Sequence, residues 1–396
     1  MTIKRLGVFS KTNVSIDGFD VSGYITDIKI FGDLFSPSWV CELFITDTVN
    51  LTSSIPIKAM STVELSIQSE STGEQFKQES LDIEFIVATI TEKKVIRRNF
   101  VSYKITAISQ YMFDDLSKKD YTIYNNMNPT EIIKSRLEKL GVSIESSQSN
   151  NVSWSSNGKT LLLGSYDCTK MCVNSNKADF LLYQSGFNKM SLASVKKMYE
   201  ALSSLIIYNS DKNDRTIYDE TNALAISIFD IDSVSNMMAG VNTSSVTVLD
   251  PFSKNITIKD YVLGDDDKSD SIYEKSSYLI PSTTSNSTSI VGVSDFETGP
   301  GLSNKHNWIS SRKSNMARLF NKRVSILHFA HLDIINYLGK TVTLNLIDNA
   351  VQSGRPVLDQ QYGGKALISA FRLDITPGKI SYMSVEYTKI RPWDNS

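Results

Sequence analysis

Cysteine, histidine and net charge are all scarce in this chain. Of 396 residues only three are cysteine (Cys41, Cys168, Cys172) and three are histidine (His306, His328, His331). Three thiols cannot build a disulfide framework for so long a chain. Cys168 and Cys172 lack the second pair and the nearby histidine that a zinc site requires. Lys+Arg 41 against Asp+Glu 43 leaves a net charge of −2, so no global field draws the chain to nucleic acid or an anionic membrane. No apolar stretch approaches the ~18 residues of a membrane span, and the N-terminal MTIKRLGVFSKTNVS has no apolar signal core. The expectation is a chain folded in a cytosol without membrane integration, whose sequons at Asn50 and Asn255 stay unglycosylated.

Catalytic signatures are missing as well. There is no G-x-S-x-G, no H-E-x-x-H, no Walker A lysine and no G-x-G-x-x-G opening a helix. His328, His331 and Asp333 sit close in sequence, but a spacing of three on a strand sends the two imidazoles to opposite faces. Residues 265–276 fail as a calcium loop, with Asp270 at position six and Ser276 at position twelve. The reading is a chain with no catalytic, cofactor-binding or metal residues, no cofactor and no enzymatic activity.

What is present is alternation. Hydrophobic residues at 41% can fill more than one core. Residues 20–32, 39–47, 62–68, 81–90 and 100–109 alternate apolar with polar, as half-buried antiparallel strands do. In 81–90, Leu81, Ile83, Phe85 and Val87 share one face. Asp82 and Glu84 share the other, reading as a wetted sheet face in preference to a glycosidase pair. Lys93, Lys94, Arg97 and Arg98 read as a solvated hairpin loop.

A helix then interrupts the strands. In YTIYNNMNPTEIIKSRLEKLG, Asn128 is a competent N-cap, Pro129 suits the first turn and Glu131 falls where a capping box places it. Ile133, Leu137 and Leu140 form one apolar stripe, and Gly141 can end the helix. A second amphipathic helix is predicted over 191–205. Residues 222–258 return to strand patterns, with a hairpin turning near Pro251. Residues 264–305 are rich in Asp, Ser, Thr and Gly and read as a loop-rich insertion, followed by a helix near 307–320.

The order of signals repeats. STVELSI (61–67) is answered by KTVTLNL (340–346), FIVATI (85–90) by ALISAF (366–371), and VSYKITAI (101–108) by ISYMSVEY (380–387). This equates Val63 with Val342 and Tyr103 with Tyr382, and implies a duplicated barrel. The fold class is therefore mainly β (α+β): two antiparallel barrels, a small α/β module and an insertion. The predicted boundaries are a first barrel at 1–112 and an α/β module at 113–212. The second barrel is split into 213–259 and 320–390 around the insertion and helix at 260–319, and 391–396 form a tail.

This arrangement resembles the central baseplate hub of contractile-tailed bacteriophages and the related type VI secretion spike proteins. YTIYNNMNPTEIIKSRLEKLGVSIE resembles the segment that follows the first barrel in these hubs. SNMMAGVNTSSVTVLDPFSKNITIKDY and RVSILHFAHLDIINYLGKTVTLNL resemble the start and continuation of the second. No spike β-helix repeat or lysozyme-like domain is present, and 264–305 matches nothing in the family. The resemblance implies a homotrimer in the virion, made in the host cytoplasm, whose six barrels form a pseudo-sixfold ring. Such a ring adapts the six-fold tail tube protein to the three-fold central spike protein and touches baseplate wedge proteins. The tape-measure protein and DNA pass through its bore, which should carry acidic, Ser, Thr and Asn side chains with Lys93 and Arg97 turned outward. The alternatives are the hub of a bacterial type VI spike, or a carbohydrate-binding or carbohydrate-active β-protein using Trp154, Trp308 and Trp393 as a sugar platform.

Overall fold

The computed structural model describes residues 6–49, 51, 57–69, 79–97, 100–116, 118–138, 143–144, 151–172, 180–187, 189–208, 222–230, 243–250, 255–262, 288–292, 322–352, 355–359 and 362–389. The first seven strands are β1 (Phe9–Ile16), β2 (Phe19–Asp20), β3 (Ile25–Asp33), β4 (Val40–Asp47), β5 (Thr62–Ser69), β6 (Ser80–Arg97) and β7 (Phe100–Ser109). The alternating residues go where their chemistry sends them: Leu81, Ile83, Phe85 and Val87 are buried, and Asp82 and Glu84 are exposed. Two expectations change here. The strand over 20–32 is broken at Ser22–Tyr24 by a 3-10 turn, because Asp20 Oδ1 accepts from the Ser22 N–H (2.9 Å) and closes an Asx turn. The loop holding Lys93, Lys94 and Arg97 is instead an extension of β6, paired with β7 as far as Arg97 opposite Phe100 through three register shifts. Arg98 lies outside the described residues.

The α/β module has its own small core. Its elements are α1 (Gln110–Leu116), β8 (Ile123–Met127), α2 (Pro129–Leu137), β9 (Ser143–Ile144), β10 (Val152–Ser155), α3 (Leu161–Cys168), β11 (Phe180–Gly186), β12 (Lys189–Ser194) and α4 (Val195–Glu200). Asn128 caps α2 as expected, its Oδ1 accepting from the Thr130 N–H (3.0 Å). Ile132, Ile133 and Leu137 pack with Leu162, Phe180, Leu182 and Leu192, each such burial contributing about 1.5–3 kcal/mol at most. Leu140 and Gly141 lie outside the described residues. β11 joins two cores by its alternation: Phe180 and Leu182 enter the small one, Leu181 and Tyr183 the large one. The helix expected over 191–205 is a correction. Residues up to Ser194 form β12, paired with β11 and β9; the helix covers only Val195–Glu200, capped by Ser194, and Leu202 is 94% exposed. Ladder hydrogen bonds on both sides of β12 outweigh a modest helical preference.

The remaining strands are β13 (Ile206–Tyr208), β14 (Ala225–Asp230), β15 (Thr243–Asp250), β16 (Asn255–Val262), β17 (Thr288–Gly292), β18 (Lys322–Phe329), β19 (Thr341–Asn345), β20 (Ile347–Gln352), β21 (Arg355–Leu358), β22 (Gly364–Ile375) and β23 (Tyr382–Lys389). The predicted hairpin is β15–β16, but it forms a separate three-stranded sheet with β17, a strand inside the segment expected to be loop. β20 and β21 pair only with each other. The helix expected at 307–320 and the tail 391–396 lie outside the described residues. The final hairpin turns as predicted, with Gly378 at φ +71° and the Lys379 N–H donating to Thr376 O (3.1 Å).

All other strands of the two halves belong to one 13-stranded sheet. In the first half the neighbours run β3-β4-β7-β6-β5; in the second they run β14-β18-β23-β22-β19. Registers agree as well. Val63 faces Phe85 and Val342 faces Ala366 across the corresponding ladders. Each half skips one residue at the same place, between Val87 and Thr89 and between Ile368 and Ala370. The ladders also extend the repeat to Ile28-Lys29-Ile30-Phe31 and Ile226-Ser227-Ile228-Phe229, which hold equal positions against β4 and β18. One equivalence is off by a residue. Ile45 faces Tyr103 and the corresponding His328 faces Met383, so Tyr103 (3% exposed) matches Met383 (1%), while Tyr382 is 40% exposed. A slip of one flips a strand's side chains to the other face, and burial exposes it.

The halves meet where β22 pairs with β3, from Ala370 opposite Asp33 to Ile375 opposite Ile28. At this seam a Cβ on Gly32 would lie 2.3 Å from the Phe371 ring and 3.0 Å from Trp39 Nε1. Trp39 meets Phe371 edge-on at 5.7 Å. Gly32→Ala should therefore destabilise the protein by about 1–3 kcal/mol through overpacking. Gly23→Ala, with nothing within 4 Å, should stay within about 0.5 kcal/mol; denaturant unfolding of the two variants checks the contrast.

His328 is buried in the second half. Its Nδ1 donates to Asn222 O (3.0 Å), which leaves Nε2 to accept from the Tyr387 hydroxyl (3.0 Å) and defines the neutral tautomer. Burial lowers its pKa to about 4, against the opposing effect of the Asn222 carbonyl. The unfolded chain then binds the extra proton first, so stability is lost as pH falls from 6.5 toward 4, by about 3 kcal/mol over that window. His328→Gln should flatten the pH dependence there, as measured by unfolding midpoints at pH 7, 5.5 and 4.5.

Candidate functional site

Because one face of the large sheet fills the core, alternation leaves its other face polar across both halves. On β1, β5 and β6, residues Ser15, Glu64, Ser66, Asp82 and Glu84 line an open groove of ≈ 580 Å³. Glu64 lies directly opposite Glu84, and Ser66 opposite Asp82. Like charges in direct cross-strand pairs are unfavourable. One contact moderates this one, since Ser15 Oγ donates to Glu64 Oε2 (2.8 Å). The carboxylate pair singled out in the sequence is thus part of an exposed acidic strip.

Cations on the same face are individually neutralised. Lys104 sits between Glu42 (3.2 Å) and Glu92 (3.1 Å). Arg372 pairs with Asp374 (2.8 Å), and Arg323 with Glu386 (3.5 Å). Lys29 lies over the Phe44 ring at 4.6 Å and faces Glu42 on one neighbouring strand and Asp374 on the other. Exposed pairs of this kind contribute about 0–1 kcal/mol each, so their main effect is on surface potential. Lys93 and Lys94 are exposed on the β6 extension.

A second hollow of ≈ 350 Å³ opens at the seam, lined by Asp33, Ser38, Arg372 and Glu386 among others. Burial pushes the Asp33 carboxyl above its ordinary value; a hydrogen bond from the Phe35 N–H (2.6 Å) opposes this and Glu386 adds to it.

Behind the seam, one side chain ties the module to the sheet. Gln184 Oε1, on β11, accepts from the Trp39 N–H (2.6 Å), Tyr111 OH (2.7 Å) and Ser109 OH (3.0 Å). The Trp39 indole donates to Gln184 O (3.1 Å), and Gln184 Nε2 donates to Gly186 O (3.2 Å). Nothing local in LLYQSG marks this glutamine; only the approach of β4 and β7 creates its role. Arg136 was equally unmarked. Buried beneath α3, it pairs with Asp120 and donates to Thr160 O (3.0 Å), its guanidinium lying 4.9 Å from the Trp154 ring centre.

That contact changes the reading of Trp154, which packs within the module beside Tyr124. Trp308 and Trp393 lie outside the described residues, as does His306. Cys41, Cys168 and Cys172 are buried thiols not joined in a disulfide. His331 follows the end of β18 and precedes a 3-10 turn. Among the described residues no three His, Cys, Asp or Glu side chains are grouped to hold a metal ion.

No family model matches the chain, and no curated protein matches it. Solved structures do. A tail protein from Neisseria meningitidis MC58 is 11% identical with a TM-score of 0.57, over 96% of this chain and 97% of that one. The 43 kDa tail protein of prophage MuSo2 from Shewanella oneidensis is 12% identical with a TM-score of 0.56, over 97% and 99%. From end to end, the chain is similar in fold to these two tail proteins.

Proposed function

We propose that the chain is a structural subunit of a contractile phage tail, the baseplate hub that adapts the six-fold tail tube to the three-fold spike. The observation that carries this is the duplicated sheet. Two halves with one strand order and one register, joined edge to edge by β3 and β22, let a single chain fill two equivalent positions of a ring. Three chains then supply six positions while keeping three-fold symmetry, and a closed ring limits growth. Likeness in fold to two tail proteins supports the same reading.

The polar sheet face suits the wall of the bore. DNA and the tape-measure protein must pass without sticking, and free Lys or Arg would hold phosphate through counterion release. Acidic strips beside cations already paired (Lys104, Arg323, Arg372) or stacked (Lys29) offer little such affinity. In this reading the partners are two further copies, the tail tube protein, the spike protein and baseplate wedge proteins; the chain resides in the virion and catalyses nothing. A secretion-system spike hub is the second reading, favoured by the same duplicated sheet and separated by its partners.

Purified protein should assemble at three times the 44.2 kDa protomer mass, and averaged electron micrographs should show six lobes. Six identical chains in the ring would exclude the symmetry-adapter role. Turnover of peptidoglycan or polysaccharide, abolished by substituting one of the chain's own carboxylates, would defeat the non-enzymatic reading. The acidic strip makes a separate prediction. Glu84→Lys places opposite charges across from Glu64 and should raise stability by about 0.2–1 kcal/mol. The gain should shrink in 1 M salt, where screening acts within about 3 Å, as followed by thermal unfolding at both salt levels.

A further inference from the structure

Equivalent strands of the two halves are covered unequally. β3 is paired on both edges, by β4 and β22. Its counterpart β14 is paired on one edge only, by β18, among the described residues. The consequence is visible in the shared Ile-x-Ile-Phe stretch. At matched positions Ile30 is 0% exposed against 45% for Ile228, Phe31 is half-buried against 55% exposure for Phe229, and Ile28 is buried against a half-buried Ile226. The same apolar strand is more exposed where no described neighbour covers it.

The missing neighbour is identifiable from the other half. β22 carries two strands in succession along one edge: β19 against Gly364–Leu367, then β3 against Ala370–Ile375. β6, its counterpart, carries β5 against the matching first stretch, Ser80–Ile86. Beyond it, Thr89, Ile90, Thr91 and Lys94 pair with β7 alone among the described residues, with a bulge between Thr91 and Lys94 that β22 lacks. Among the described residues the chain thus presents one unpaired donor edge and one unpaired receiving edge, and they are the counterparts of the two strands joined within the chain. Six strands separate β14 from β6 in the sheet order, which rules out their meeting in one protomer while β3 and β22 stay paired.

We propose that β14 of one copy pairs antiparallel with residues 89–94 of β6 in a second copy, with Phe229 opposite Thr91. The register follows from Phe31 opposite Arg372, carried over through ladders that match as far as Thr91. This deepens the ring reading and rests on it: junctions alternate between the β3–β22 seam within a chain and the β14–β6 seam between chains. The second seam differs in kind. The positions of Gly32 and Phe371 are taken by Asp230 and Ile90, so the ring-on-glycine lock of the first seam has no equivalent. Covering β14 removes both an open edge, which is an aggregation hazard, and the exposure of Ile228 and Phe229.

Two measurements test it. Thr91→Cys and Phe229→Cys are placed in separate full-length chains, mixed and mildly oxidised. The native thiols are buried, and facing Cα atoms about 4.5–5.5 Å apart fit a disulfide. A covalent dimer should form only when both variants are present, as Phe31→Cys with Arg372→Cys should form an intrachain bond. Hydrogen exchange on the unmodified assembly needs no variant, and amides 225–230 and 89–94 should slow about ten-fold or more against dilute protomer. An intact trimer with neither cross-link nor protection would overturn this seam and leave the ring reading standing. A chain that stays monomeric at every concentration would overturn both. Protection that appears only on adding a different protein would assign the edge to a foreign strand, against the proposal.

Discussion

The rest of the structure depends on the antiparallel ladder between β3 and β22. It converts two half-sheets into one continuous surface, because six consecutive residues of each strand satisfy one another's backbone groups. Its tightness is set by Gly32, which admits the Phe371 ring, and by Trp39, which meets that ring edge-on from just before β4. Trp39 in turn holds Gln184 through both its backbone and its indole N–H. One chain of contact therefore runs from the second half, through the first, into the α/β module.

The module is an appendage with two loyalties. α2 and α3 serve a small core of their own, pinned by buried Arg136. β11 shares its alternate residues with the large core, and the Gln184 hydrogen bonds leave it little freedom to shift, since separating them would strand several buried polar groups. A capped helix inside a β-protein makes sense on these terms. It buries a stripe that the sheet has no room for.

Much of this was legible in residue order. Alternation located β4, β5, β7 and the core half of β6, because a half-buried strand must put apolar residues at every second position. Capping chemistry located α2, since Asn128 and Pro129 act within one turn. The repeat was legible as an order of strands, though letters alone set Tyr103 against Tyr382. Similar alternating strings align nearly as well one residue out of step. β1 escaped notice because only Val14 and Ile16 of its eight residues are fully buried.

By itself, then, the sequence determined the strand-rich class, the capped helix, the duplication and the absence of familiar catalytic motifs, all properties set by neighbours within a few residues. Tertiary structure alone decided that Ser191–Ser194 is strand, that β15 and β16 leave the large sheet for a partner at Thr288–Gly292, and that Gln184 and Arg136 become anchors. It also decided which Ile-x-Ile-Phe strand is the more deeply buried. These outcomes rest on hydrogen bonds and contacts between residues far apart in the chain, whose energies do not exist until distant segments have met.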